Sequence, residues 1–159
     1  MKVEYINPFI NSVYNLFSTM LNAEVKRGEV GIARDAQTPR HITALIGISG
    51  HARGTISISF PNHTALAMVG RMLGQDLKVM DDSVTDGISE IVNIVAGRAK
   101  AKFDFDPPLE LSLPTVIRGN SYSVDYPSKT TWLQVPFTSD LGDFTLRVTF
   151  EKFTQQNAG

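Results

Sequence analysis

Residues 83–105 read SVTDGISEIVNIVAGRAKAKFDF and carry the strongest structural signal of the chain. At 100° per residue, five apolar side chains fall on one face about 100° wide. They are Ile88, Ile91, Val92, Val95 and Ala99. The pair Pro107-Pro108 stops the pattern, because proline cannot continue a helix. The stretch therefore predicts a long amphipathic helix.

The opposite face of this helix is polar and holds Asp86, Glu90, Asn93 and Gly97, all within about 60° of one another. A carboxylate and a carboxamide one turn apart form a small polar tip. Gly97 lowers helix propensity by about 1 kcal/mol relative to alanine, but a partner's backbone can approach where no side chain stands. Polar stripes are also typical of any solvated helix face. The pattern alone leaves both interpretations open.

Before this helix, apolar steps of three and four predict a helix over residues 7–24, with Asn7 as its cap and Pro8 at the first helical position. A strand is expected over 29–34. Residues 41–49 and 55–60 predict a hairpin across a glycine-bounded turn. A helix over 64–73 follows and ends at Gly74.

After the long helix, residues 109–117 predict a strand with Pro114 near its end, which favours a sheet edge or a bulge. A short strand over 122–126 and a hairpin of residues 130–137 and 143–152 follow. Helix, strand and hairpin thus occur twice in the same order, which indicates an internal duplication. We predict one α+β domain over 1–153, with long helices on one face of a mostly antiparallel sheet, and a flexible tail over 154–159.

Composition excludes several classes of protein. The 159 residues carry a formal net charge of −1, which argues against a nucleic-acid binder. With no cysteine there is no disulfide, thiol nucleophile or cysteine zinc site. No stretch reaches about 18 uncharged apolar residues, and the N-terminus lacks the apolar run of a signal peptide. We therefore expect a soluble cytoplasmic protein without a membrane partner.

Other chemical motifs have little support. His41, His51 and His63 form no helical i, i+4 pair, so we expect surface histidines and no metal site in this chain. Gly47, Gly50 and Gly54 lack the spacing of a phosphate loop. No serine lies in a G-x-S-x-G elbow.

The polar stripe, Asp86-x-x-x-Glu90-x-x-Asn93-x-x-x-Gly97, resembles the active helix of the CheC/CheX/FliY phosphatases of bacterial chemotaxis. That family has Asp or Ser, three residues, Glu, two residues, Asn, and a proline about 22 residues later. Here 20 residues separate Asn93 from Pro114. The first helix has Ser12-x-x-Asn15 and lacks the glutamate, which is similar to the single-site CheX branch and unlike two-site CheC.

The resemblance implies hydrolysis of the phosphoaspartate on a phosphorylated CheY-type response regulator. An acyl phosphate is already activated, so a positioned water suffices. By this resemblance Asn93 holds the water, Glu90 pairs with the regulator's active-site lysine, and Asp86 and Gly97 lie at the partner interface. The chain needs no cofactor of its own, because the regulator supplies the Mg²⁺.

The CheX branch also implies a homodimer in which terminal strands join or exchange. The hairpin over residues 130–152 is rich in large apolar residues, and unpaired it would be an aggregation edge. The competing interpretation places these strands inside the monomer's own sheet, with Pro136 at a harmless bulge. Two other functions stay open: a non-catalytic binding or flagellar-switch-associated module, and a small-molecule binder with a pocket between helix and sheet.

Overall fold

The computed structural model describes residues 3–33, 41–119 and 131–152. A 3-10 turn over Val3–Ile6 leads into the first helix, which continues as a π-helical turn over Phe17–Leu21. The regular elements follow in this order: α1 (Asn7–Leu16), β1 (Val25–Arg27), β2 (Gly31–Ala33), β3 (Ile42–Ser49), β4 (Ala52–Phe60), α2 (Asn62–Leu73), α3 (Asp82–Lys100), β5 (Glu110–Leu111), β6 (Thr115–Arg118), β7 (Trp132–Ser139) and β8 (Phe144–Lys152).

The strands form one antiparallel sheet in the order β1-β7-β8-β4-β3-β5, with β2 also on β7 and β6 also on β3. The order is symmetric about the central pair of β4 and β8, which are joined from Ala52 opposite Lys152 to Ser59 opposite Thr145. Strands β1 and β2 of the first half pair with β7 of the final hairpin. Strands β5 and β6 of the second half pair with β3 of the first long hairpin. This arrangement confirms the predicted α+β class and its duplicated order of elements.

The helices cover one face of the sheet, and the hydrophobic core lies between the helices and that face. Alternate residues of the four long strands point to that face and are buried, among them Ile46, Ile56, Val135 and Leu146. The five residues of the predicted apolar face on α3 are at most 1% exposed. Alternation in the strands and helical spacing in α3 therefore identified the core correctly.

Several helix boundaries differ from the sequence prediction: the first helix with its π-helical turn ends at Leu21 and not at residue 24, and α2 begins at Asn62 and not at residue 64. Asn7 is already the first helical residue, and Ile6 takes the cap position at the end of the 3-10 turn, without a side-chain cap bond. Helix α3 ends at Lys100 and not at residue 105. Phe103 leaves the helix to stack on Phe150, with ring centroids 4.7 Å apart. Burial of this ring against the sheet ends the helix before the prolines are reached.

Several strand predictions also need correction. The strand predicted over 109–117 is two short strands, because Leu113 and Pro114 together oppose the single residue Ile46 and form a bulge. Strand β1 was not predicted. The strand predicted over 122–126 and the tail over 154–159 lie outside the described residues.

The final hairpin was expected to present an open edge, and that expectation is wrong. Strand β8 lies between β7 and β4, and β7 is covered on its other side by β1 and β2. Pro136 stands where a bulge separates β1 from β2, and its carbonyl accepts a hydrogen bond from the Gly28 amide at 2.7 Å. The Pro136 carbonyl therefore stays paired at the bulge, and the competing interpretation, which places these strands inside the monomer's own sheet, is confirmed.

Candidate functional site

Helix α3 is the element that carries the predicted site, and its start is defined by a side-chain cap. The Asp81 carboxylate accepts hydrogen bonds from the backbone amides of Ser83 at 3.0 Å and Val84 at 3.4 Å. A carboxylate at this position satisfies free N–H groups and complements the helix dipole. The apolar face then fixes the rotation of the helix, so its polar stripe points away from the sheet.

The structure brings all four predicted site residues together on that stripe. Asp86, Glu90 and Asn93 are exposed, and Gly97 is half-buried. Within the described part of the chain, neither Glu90 nor Asn93 has a hydrogen-bond or ion-pair partner for its side chain. The Glu90 carboxylate and the Asn93 carboxamide are thus exposed to solvent one turn apart, on a helix whose opposite face is buried in the core.

The two glycines of α3 have different surroundings. A Cβ added at Gly87 would overlap the side chain of Val69 on α2, so packing between the helices requires glycine there. A Cβ at Gly97 would meet nothing within 4 Å. No contact within the described structure therefore explains Gly97, which leaves the surface beside Asn93 open to a partner.

Two arginines attach α3 to its neighbours, and sequence reasoning singled out neither of them. Arg118 on β6 donates to the Thr85 hydroxyl at 3.3 Å and to the Met80 carbonyl at 3.0 Å. Arg98 reaches α1, where it donates to Asn15 Oδ1 and to the Thr19 hydroxyl at 3.2 Å. Their partners are distant in sequence and follow no spacing rule, so no local pattern could have indicated them.

The counterpart positions on α1 are engaged in a different way. Ser12 is 2% exposed, and its hydroxyl donates back to the Pro8 carbonyl at 2.7 Å. The Asn15 amide oxygen is taken by Arg98. Helix α1 therefore lacks both the carboxylate and the free carboxamide that α3 presents.

Other candidate sites are weaker. The described residues contain no cluster of three or more His, Asp or Glu side chains that could hold a metal ion. His41, His51 and His63 are exposed, as predicted. The gap between the helices and the sheet is too small to admit a water molecule and is lined only by apolar side chains, including Val13, Phe60 and Val95, so it offers no space and no polar group for a ligand. Among the described residues, no helix is long and apolar enough to cross a membrane.

The fold and the exposed polar stripe on α3 define a protein of the CheC-like class. A CheC-like superfamily protein from Shewanella sp. PV-4 is 30% identical, with a TM-score of 0.82 over 95% of this chain and 99% of its own. The family model for the chemotaxis phosphatase CheX matches residues 42–138, more than half of the sequence. The chain therefore belongs to the CheX family.

One further relative supports this assignment, and a second structure shares the fold. The CheY-P phosphatase CheX of Thermotoga maritima is 28% identical over 126 residues, which cover 78% of this chain and 81% of that protein. A chain of the CheX–CheY–BeF3–Mg²⁺ complex from Borrelia burgdorferi has a TM-score of 0.76 at 19% identity, over 95% of this chain and all of its own. At that identity the second likeness concerns the fold alone.

Proposed function

We propose that this chain is a phosphatase that hydrolyses the phosphoaspartate of a CheY-type response regulator by inserting Glu90 and Asn93 of α3 into the regulator's active site. One observation carries the proposal: Glu90 and Asn93 are exposed and unpartnered within the described structure, whereas Ser12 and Asn15 on α1 are buried or engaged. The T. maritima relative, named a CheY-P phosphatase, supports the choice of substrate.

The reaction requires one water in line with the bond that breaks. The oxygen of that water attacks phosphorus, the bond between phosphorus and the aspartyl oxygen breaks, and inorganic phosphate and a free carboxylate result. The Asn93 amide oxygen accepts a hydrogen bond from the water and holds it in line. Because an acyl phosphate already has a good leaving group, positioning supplies most of what the protein contributes.

Glu90 acts on the partner and not on the water. Its carboxylate accepts a charge-assisted hydrogen bond from the regulator's active-site lysine, which fixes the depth and register of α3 in the site. Asp86, one turn earlier, contacts the rim of the regulator. Gly97, one turn beyond Asn93, admits the regulator's backbone.

The Mg²⁺ of this reaction belongs to the regulator, where it neutralises charge on the phosphoryl oxygens. In the described part of this chain no three carboxylate or imidazole groups converge on one point. In this proposal the chain's own residues bind the regulator and orient the water.

Loss of label from a phosphorylated receiver domain tests the proposal. Asn93→Ala should lower turnover by about 10²-fold, the scale of a lost positioning group, and leave binding to the regulator nearly intact. Glu90→Ala should weaken both binding and turnover. Asn62→Ala, an asparagine at the start of α2, is the matched control and should change neither. Full activity of Asn93→Ala would show that the mechanism is wrong.

The alternative is a non-catalytic binding or flagellar-switch-associated module with the same fold. Such a module would bind a regulator without accelerating the loss of its phosphate. We favour the enzyme because a scaffold has no chemical need for a free Glu90/Asn93 pair.

A homodimer remains part of the proposal because the resemblance to the CheX branch implies one. The final hairpin no longer provides a reason for it. Among the described strands, the sheet edges are β1 with β2 on one side and β5 with β6 on the other, and a dimer formed through the sheet would pair one of these edges.

A further inference from the structure

Helix α1 and its π-helical turn lie on the outside of the protein and have no charged side chain of their own, although the Arg98 guanidinium of α3 lies against Asn15 and Thr19. Between Glu4 and Glu24 the sequence has no charged residue, whereas α2 and α3 both contain charged side chains. From Asn11 to Met20, six residues are nevertheless exposed: Asn11, Tyr14, Asn15, Ser18, Thr19 and Met20. Surfaces that remain in water usually carry charge, and protein interfaces are depleted of charge and enriched in Tyr and Met.

One of the exposed side chains is held in a fixed position. The Tyr14 hydroxyl accepts a hydrogen bond from the Arg27 amide at 3.0 Å, and its ring packs edge-on against Phe137 with centroids 6.3 Å apart. The side chain is still 38% exposed. A fixed, half-exposed aromatic ring loses little conformational entropy when a partner covers it.

This face is continuous with the polar stripe of α3. The two helices pack side by side, and Arg98 of α3 reaches the outer side of α1 to bond Asn15 and Thr19. Arg98 follows Gly97 directly in the sequence. A partner that approaches Gly97 therefore also meets Asn15 and Thr19.

The stripe of α3 is too small to serve as an interface by itself. From Asp86 to Gly97 it is about 16 Å long and, at the width of one helix, covers roughly 160 Å² in projection. A standard protein–protein interface buries about 800 Å² on each partner, and weak transient complexes bury less than about 600 Å². Packed helix axes lie about 8–10 Å apart, so a globular partner seated on the stripe reaches the neighbouring helix.

We propose that the outer face of α1, from Asn11 to Met20, is the second half of the docking surface for the response regulator. This inference rests on the proposed function and adds a binding surface that takes no part in the reaction. The face contributes to affinity and does not touch the phosphoryl group. Helix α1 thus takes part in recognition although its Ser12 and Asn15 form no active pair.

Charge substitutions at Ser18 test the surface. Ser18 is exposed, and its hydroxyl donates to the Asn15 carbonyl of its own helix at 3.2 Å, its one side-chain bond within the described structure. Ser18→Arg and Ser18→Glu should both raise the KM for a phosphorylated receiver domain by about tenfold and leave kcat within twofold, because either charge must be desolvated on docking. Ser49→Arg, at an exposed strand end, is the matched control and should change neither. Asn11→Arg repeats the test on the preceding turns.

The outcomes are distinct. Unchanged KM in all α1 variants would overturn the proposal and confine docking to α3. Opposite effects of arginine and glutamate would also overturn it, because they indicate long-range steering and not burial. If instead the variants change the sedimentation of the protein alone, the face belongs to a second copy of the chain. Absence of phosphate loss with the unaltered protein would reject the proposed function, whereas binding of a BeF3-loaded receiver domain still reports on the surface.

Discussion

Gly97→Ala should make the protein more stable and less active at the same time. Glycine inside a helix costs about 0.8–1.0 kcal/mol relative to alanine. A Cβ at position 97 meets no atom within 4 Å, so no steric penalty offsets this gain. For a domain of this size, the free energy of unfolding should rise by about 1 kcal/mol and Tm by about 2–4 °C.

The same methyl group should obstruct the regulator. Glycine lies on the stripe of Glu90 and Asn93, one turn beyond the proposed water-positioning group. If the regulator's backbone packs there, the added methyl displaces the docked partner, and a shift of about 1 Å can cost 10²-fold in rate. We expect kcat/KM to fall at least tenfold in a label-release assay, measured beside a thermal melt of the same preparation.

Gly87→Ala is the control, since it places the same change on the buried side of the same helix. Its Cβ would lie within 2.7 Å of Val69 Cγ2, and overpacking of this kind costs about 1–3 kcal/mol. Stability should therefore fall, while kcat/KM per folded molecule stays near that of the unaltered protein. A Gly97→Ala protein that melts higher and keeps its full kcat/KM would refute the assignment of Gly97 to the interface.

Three further predictions concern the cap, the metal and the assembly. Asp81→Ala removes the acceptor for two amides of α3 and should lower the free energy of unfolding by about 1 kcal/mol in urea denaturation, whereas Asp82→Ala, which removes no cap bond, should lower it by less. Titration of Mg²⁺ into the isolated chain should show no saturable binding, and chelation should stop dephosphorylation of the regulator; a tight site on this chain would contradict the assignment of the metal to the partner. Sedimentation at micromolar concentration should give a dimer, and a clean monomer of 17.5 kDa would exclude it.

The sequence was most informative where one periodicity governs a long element. The spacing of Ile88, Ile91, Val95 and Ala99 determined both the buried face of α3 and, by exclusion, the stripe with Glu90 and Asn93. Alternation likewise identified both long hairpins. These signals are local, because each depends only on which side of an element faces the core.

What the sequence could not provide depends on contacts between distant segments. The end of α3 is set by the packing of Phe103 on Phe150, which is a partner 47 positions away. The place of the final hairpin depends on β1, a strand of three residues with no periodic pattern of its own. The bond from Arg98 to Asn15 spans 83 positions. Propensity and spacing do not report on such pairs.

The exchange of short strands between the two halves has a consequence for how the chain folds. Val25 of β1 pairs with Ser139 of β7. The hairpin of β7 and β8, to which β1 and β2 pair, is therefore synthesised only after most of the chain. The first half in turn receives β5 and β6 from the second. Closing loops of this length lowers the entropy of the chain before the favourable contacts between the strands form. We therefore expect slow folding. Neither half can complete a sheet alone, so a nascent chain released before β8 should remain unfolded, and the two halves should gain their structure in one cooperative step.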